Sequence, residues 1–81
     1  MGRKRRTRPK KLAGKLKAIR LDLGLTQEEL AKRLDTDSGS ISRYELGKRE
    51  PSLLELLEYS RIAKVSLETL VDDKSKLPPT R

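Results

Sequence analysis

Thr26, Asp37, Ser52 and Ser66 each stand just ahead of an apolar, helically periodic segment. Each carries the short oxygen-bearing side chain that caps a helix N-terminus. After Thr26 and Ser52 a glutamate follows three residues on, Glu29 and Glu55, completing a Thr/Ser-x-x-Glu capping box. Start signals this closely spaced leave room only for short helices joined by tight turns. No segment shows the period-two alternation of a strand, so the chain is predicted to be all-α.

A first helix precedes these signals. Pro9 fits its first turn, Leu12, Leu16, Ile19 and Leu23 form one apolar stripe, and Gly24 ends it. Gly14 lies inside it at a cost of about 1 kcal/mol relative to alanine. In the second helix, Leu25 and Leu30 stand at staple positions around the Thr26 cap, and Leu30, Ala31 and Leu34 form the buried face. The third segment is less plain, because Ser38-Gly39-Ser40-Ile41-Ser42 taken alone has the composition of a linker. At about 100° per residue, however, Ile41, Tyr44 and Glu45 share one side. Gly39, Arg43 and Leu46 fall opposite, flanked by Ser40 and Ser42. This is a helix of about 38–46 with a sparse outer face and one long basic side chain, closed by Gly47. Lys48 to Pro51 form a charged loop, and Leu53, Leu56, Leu57, Tyr59 and Ile62 make the fourth helix heavily apolar. Val65 and Leu70 bracket the Ser66 cap of a last short helix ending at Val71. Asp72 onward is a tail that Pro78-Pro79 keeps out of helix. The turn from Leu34 to Asp37 has helix-turn-helix length, with the small Ala31 where the two helices cross.

Charge is segregated along the chain. Residues 1–20 hold ten Lys or Arg and no acid, whereas residues 21–73 hold twelve acids against seven bases. A mildly acidic body with a basic arm and first helix points to a polyanion partner, most often nucleic acid. The expected organisation is a basic, disordered arm over residues 1–9, a domain over 10–73 and a flexible tail over 74–81. With no cysteine and no histidine, zinc sites of the usual kind, thiol chemistry and imidazole catalysis are excluded. Tyr44 and Tyr59 are the only aromatics, too few for a platform that stacks single-stranded bases. Neither a membrane-spanning run nor an apolar signal region is visible, and Met1-Gly2 lacks the downstream Ser/Thr of a myristoylation site. The expected location is the cytoplasm, at the nucleoid.

The stretches LGLTQEELAKRL, SISRYELGKREPS and VSLETL, in this order and spacing, resemble the Cro/repressor type of helix-turn-helix DNA-binding domain. This lambda repressor-like, xenobiotic-response-element family is widespread in bacteria and phages. The resemblance covers about residues 12–72. It implies a compact five-helix bundle whose helix from Thr26 crosses the phosphate backbone, while the helix at about 38–46 enters the major groove. It also implies that Gln27 contacts a phosphate and braces the groove helix, and that Ser38, Gly39 and Arg43 face base edges. Lys48 and Arg49 would meet the far backbone, and Arg20 and Glu45 would form a structural ion pair. Two departures stand out: Asp35 where the turn usually carries glycine, and Gly39, which has no side chain to read with. Lys64 also replaces a common glycine, a change expected to matter little.

The expected DNA-binding set is Arg3, Arg5, Arg6, Gln27, Asp37, Ser38, Gly39, Ser40, Ser42, Arg43, Lys48 and Arg49. Arg43 has three readings: a bidentate guanine contact, a phosphate contact, or a solvated side chain. The serines suit phosphate contact or close backbone approach more than sequence readout. The adjacent acids Glu28-Glu29 and Asp72-Asp73 read as solvated surface. The function expected is a small sequence-specific regulator of double-stranded DNA, a repressor acting as a homodimer, with no catalysis and no cofactor. Leu67, Val71 and Leu77 are candidates for self-association, or else finish the core. Two alternatives stay open. One is an antitoxin or adaptor of the same fold that binds a toxin or the transcription machinery. The other is a maintenance protein binding DNA largely without sequence preference.

Overall fold

The computed structural model describes residues 10–78. Among them are five helices: α1 (Leu12–Asp22), α2 (Gln27–Leu34), α3 (Ser38–Glu45), α4 (Leu53–Ala63) and α5 (Leu67–Val71). The described residues form no strand. The four expected caps all act. Thr26, Asp37, Ser52 and Ser66 accept hydrogen bonds from the backbone N–H groups of Glu29, Ser40, Glu55 and Thr69, and both capping boxes close.

One core holds the bundle. Leu12, Leu16 and Ile19 of α1 meet Leu30, Ala31 and Leu34 of α2, Ile41 and Tyr44 of α3, Tyr59 of α4 and Leu70 of α5. Helix α3 packs against both α2 and α1, and α1 also touches α4 and α5. Helix α3 is thus fixed from behind by two helices. Its last buried side chain, Tyr44, donates to Glu55 Oε1 at 2.7 Å, tying α3 to the cap of α4.

Among the described residues, two other than glycine adopt the left-handed conformation, Asp35 at φ 57° and Lys64 at φ 58°. Each is the C-cap of its helix, α2 and α4 respectively. Asp35 suits this region, which aspartate tolerates better than most residues. Lys64 does not. The left-handed backbone there costs a side-chain-bearing residue roughly 1–2 kcal/mol, so replacing glycine has a conformational penalty.

The segment after α5 folds back onto the start of α1. Asp73 reaches the start of α1, where its carboxylate accepts the backbone N–H groups of Lys10 and Lys11 at 2.9 and 3.0 Å. Lys11, the N-cap of α1, makes no side-chain capping bond of its own. Lys15 answers from the other direction, its ammonium donating to the carbonyls of Thr69 at 2.6 Å and Asp72 at 2.9 Å. Each of these helix ends is therefore capped by residues of the other's neighbourhood, more than fifty positions away in sequence. Leu67 and Leu77 pack partly buried against the core, while Val71 stays exposed.

Candidate nucleic-acid interface

Helix α3 presents the outer face that the sequence assigned to it. Gly39 and Arg43 are exposed, Ser38 and Ser42 are half-buried, and Leu46 just past the helix is 64% exposed. Gly47, at φ 75°, turns the chain out of α3 so that Lys48 and Arg49 follow on the surface. Asp37 opens the helix with its Oδ1 2.7 Å from the Ser40 N–H. That bond holds its carboxyl below the usual carboxylate range, helped by the positive charges of Arg43 and Arg49. The Asp37 carboxylate and the Arg43 guanidinium thus both lie at the first turn of the outer face, around Gly39.

Ser40 departs from the expected set. It is only 5% exposed and belongs to the buried side of α3 with Ile41 and Tyr44. On a helical wheel drawn about Ile41, Ser40 and Ser42 lie symmetrically. The buried arc is centred between Ile41 and Tyr44, which brings Ser40 to about 70° from its middle and leaves Ser42 about 130° away.

Beneath the face lies an ion pair that locks its orientation. Arg20 Nε donates to Glu45 Oε2 at 2.7 Å and its Nη2 to Glu45 Oε1 at 3.0 Å, a bidentate fork. The two side chains are 11% and 3% exposed. Arg20 Nη1 also donates to the Leu25 carbonyl at 2.9 Å, so one guanidinium joins α1, the α1–α2 turn and α3. Hydrogen bonding to Glu45 raises the arginine's pKa further, against the opposing effect of burial. Gln27, at the start of α2, donates to Glu45 Oε1 at 3.2 Å, which is the brace expected of it. Being only half-buried, it keeps a solvent-facing part.

The arm residues Arg3, Arg5 and Arg6 lie outside the described residues. Lys15 stands outside the expected set, and Asp73, expected to be solvated surface, instead caps the start of α1. Lys15 does carry a signal, since it falls three residues after Leu12 and four before Ile19, on the buried stripe. Its charge, like that of Arg20, serves the interior. Among the described residues no group of acids could hold a metal ion, and no helix is long and apolar enough to cross a membrane.

A helix-turn-helix family model matches residues 16–70, the span from the middle of α1 to α5. The chain belongs to the helix-turn-helix family. Its fold is that of DNA-binding transcriptional regulators, as three comparisons illustrate. An uncharacterised HTH-type transcriptional regulator of Bacillus subtilis (strain 168), YqaE, is 38% identical over 60 residues. The match takes in 74% of this chain and 52% of the relative, so the chain spans about half the relative's length. The P22 c2 repressor in complex with a synthetic operator superposes with a TM-score of 0.71 at 26% identity, covering 76% of this chain and 94% of that one. The SinR/SinI complex gives a TM-score of 0.69 at 28% identity, covering 78% and 62%.

Proposed function

We propose that this chain is a transcriptional regulator, a repressor, that binds double-stranded DNA by laying α3 in the major groove. The observation that carries this reading is the outer face of α3, with Gly39 and Arg43 exposed and Ser42 half-buried, on a helix braced from behind by the Arg20–Glu45–Gln27 cluster. A reading helix must hold its side chains to a fixed register against the base edges, and the cluster supplies that rigidity. In this account Arg43 contacts guanine, while Ser38, Ser42, Lys48, Arg49 and the solvent-facing part of Gln27 contact phosphates. Asp37 acts through the α3 cap and through its charge on Arg43, and Ser40 acts through packing. Arg3, Arg5 and Arg6 of the arm neutralise further phosphates. A homodimer would set two α3 helices one helical turn apart on the duplex.

The test is selection of the full chain against a random duplex library at near-physiological salt, followed by sequencing. The account expects a motif of two related half-sites whose centres lie about 10–10.5 base pairs apart. A motif with a single half-site would remove the dimer, and binding without any motif would leave only an electrostatic, sequence-independent role.

A second reading has one observation in its favour. Leu53 and Leu54 at the start of α4 are 64% and 75% exposed. Adjacent exposed leucines suit contact with another protein, and the SinR/SinI complex is a neighbour of this fold bound to a protein partner. Charge introduced by Leu54→Lys would abolish such a contact while leaving the thermal stability of the isolated domain within about 0.5 kcal/mol. Loss of folding on that change would mean the leucine belongs to the core.

A further inference from the structure

Gly39 occupies a position on the outer face of α3 where a reading side chain is expected, and it offers none. The geometry around it supplies a reason. A Cβ built on Gly39 would lie 3.8 Å from both terminal guanidinium nitrogens of Arg43 and 3.3 Å from Asp37 Oδ1. Arg43 is therefore folded back over the bare backbone of the first turn of α3, with its planar group alongside the place a side chain would fill. This follows the general direction of helical side chains, which lean toward the N-terminus and cover the preceding turn. The Asp37 carboxylate closes the far end. It cannot easily retreat, because the same Oδ1 is engaged by the Ser40 N–H at 2.7 Å.

We infer that Gly39 determines specificity by its lack of a side chain, keeping open a trough in which Arg43 is held for base recognition. This rests on the reading that α3 enters the major groove. Asp37 and Gly39 are positioning residues in this arrangement, and Arg43 makes the contact. A solvated arginine samples many rotamers. One resting along the helix, with a carboxylate ahead of it and no side chain beneath it, has fewer left to lose on binding. One arginine then serves the stretch of groove that side chains on two successive turns would otherwise share. The expected recognition element is accordingly narrow, with one strong guanine per half-site and weak preference at its neighbours.

The experiment compares wild type, Gly39→Ala, Gly39→Leu and Arg43→Ala in the same library selection, with circular dichroism melts to establish that each variant folds. Leucine is a good helix former without hydrogen-bonding groups, and its extra carbons would occupy the space beside the guanidinium. The expected result is a wild-type motif whose guanine preference falls about ten-fold in Gly39→Leu, approaching Arg43→Ala. Gly39→Ala, whose Cβ would meet the Arg43 nitrogens at ordinary contact distance and press only on Asp37 Oδ1, should show a smaller loss of the same guanine. Should Gly39→Leu fail to fold, the alanine variant carries the decision, since any shift of preference at the Arg43-dependent position supports the trough. Identical motifs for wild type and both Gly39 variants would overturn the inference and leave the groove-helix reading standing. No wild-type motif at all would overturn both.

Discussion

At the scale of single residues, the Arg20–Glu45 fork has the largest structural consequence. Both side chains are nearly withdrawn from water, and both carboxylate oxygens are engaged by Arg20, with Gln27 adding a third donor. Replacing Glu45 by glutamine preserves shape but leaves the arginine charge buried without its counter-charge. Loss of one partner of such a pair typically costs about 3–5 kcal/mol. Measured by urea unfolding, Glu45→Gln is expected to lose about that much, a large fraction of the total stability of a domain this size. A loss under about 1 kcal/mol would mean that water screens the pair. Residues with local chemistry were readable in advance: Thr26, Asp37, Ser52 and Ser66 cap because their partners lie three positions away. Lys15 and Asp73 were not, because their partners lie more than fifty positions away, and a lysine or aspartate in sequence reads first as a solvated charge.

At the scale of the element, α3 shows how far periodicity reaches. Its existence, its cap and its outer face followed from spacing, but the side of Ser40 did not, because a wheel drawn about Ile41 ignores where Tyr44 pulls the buried arc. The ends of α2 and α4 make a complementary point. Both close on a left-handed residue, and both lack the glycine that costs least there. Lys64 is exposed, so Lys64→Gly removes backbone strain without removing packing. The substitution is expected to raise stability by about 1 kcal/mol, or about 4–8 °C in melting temperature for a domain of this length. An unchanged or lower melting temperature would show that the lysine side chain contributes more than the backbone costs.

At the scale of the whole molecule, the two termini of the described chain clasp one another through Asp73 and Lys15. Asp73 has its pKa lowered chiefly by the N–H of Lys11, then by that of Lys10. A carboxyl whose pKa is depressed by folding adds stability above its unfolded value, near 4, and loses it as pH falls through the lower folded value. The melting temperature of the wild type is expected to be level near neutrality and to fall below about pH 4. Asp73→Ala should lower the plateau and shallow the acid limb, and an unaltered acid limb would remove Asp73 from the account. The clasp also fixes the backbone at Lys10 and Lys11. If Arg3, Arg5 and Arg6 each neutralise one phosphate, replacing all three by alanine should make the slope of log affinity against log salt shallower by about 2.7. An unchanged slope would mean that these arginines do not meet the duplex.

In the proposed function α3 lies in the major groove with Arg43 on a guanine. Methylation interference tests it most directly, because a methyl group on guanine N7 occupies the major-groove edge that a bidentate arginine needs. The account predicts that N7 methylation within each half-site of a selected duplex blocks binding of the wild-type chain. For Arg43→Ala, which still holds the backbone, the same methylation should make no difference. Wild-type binding that is indifferent to N7 methylation throughout the site would contradict the claim.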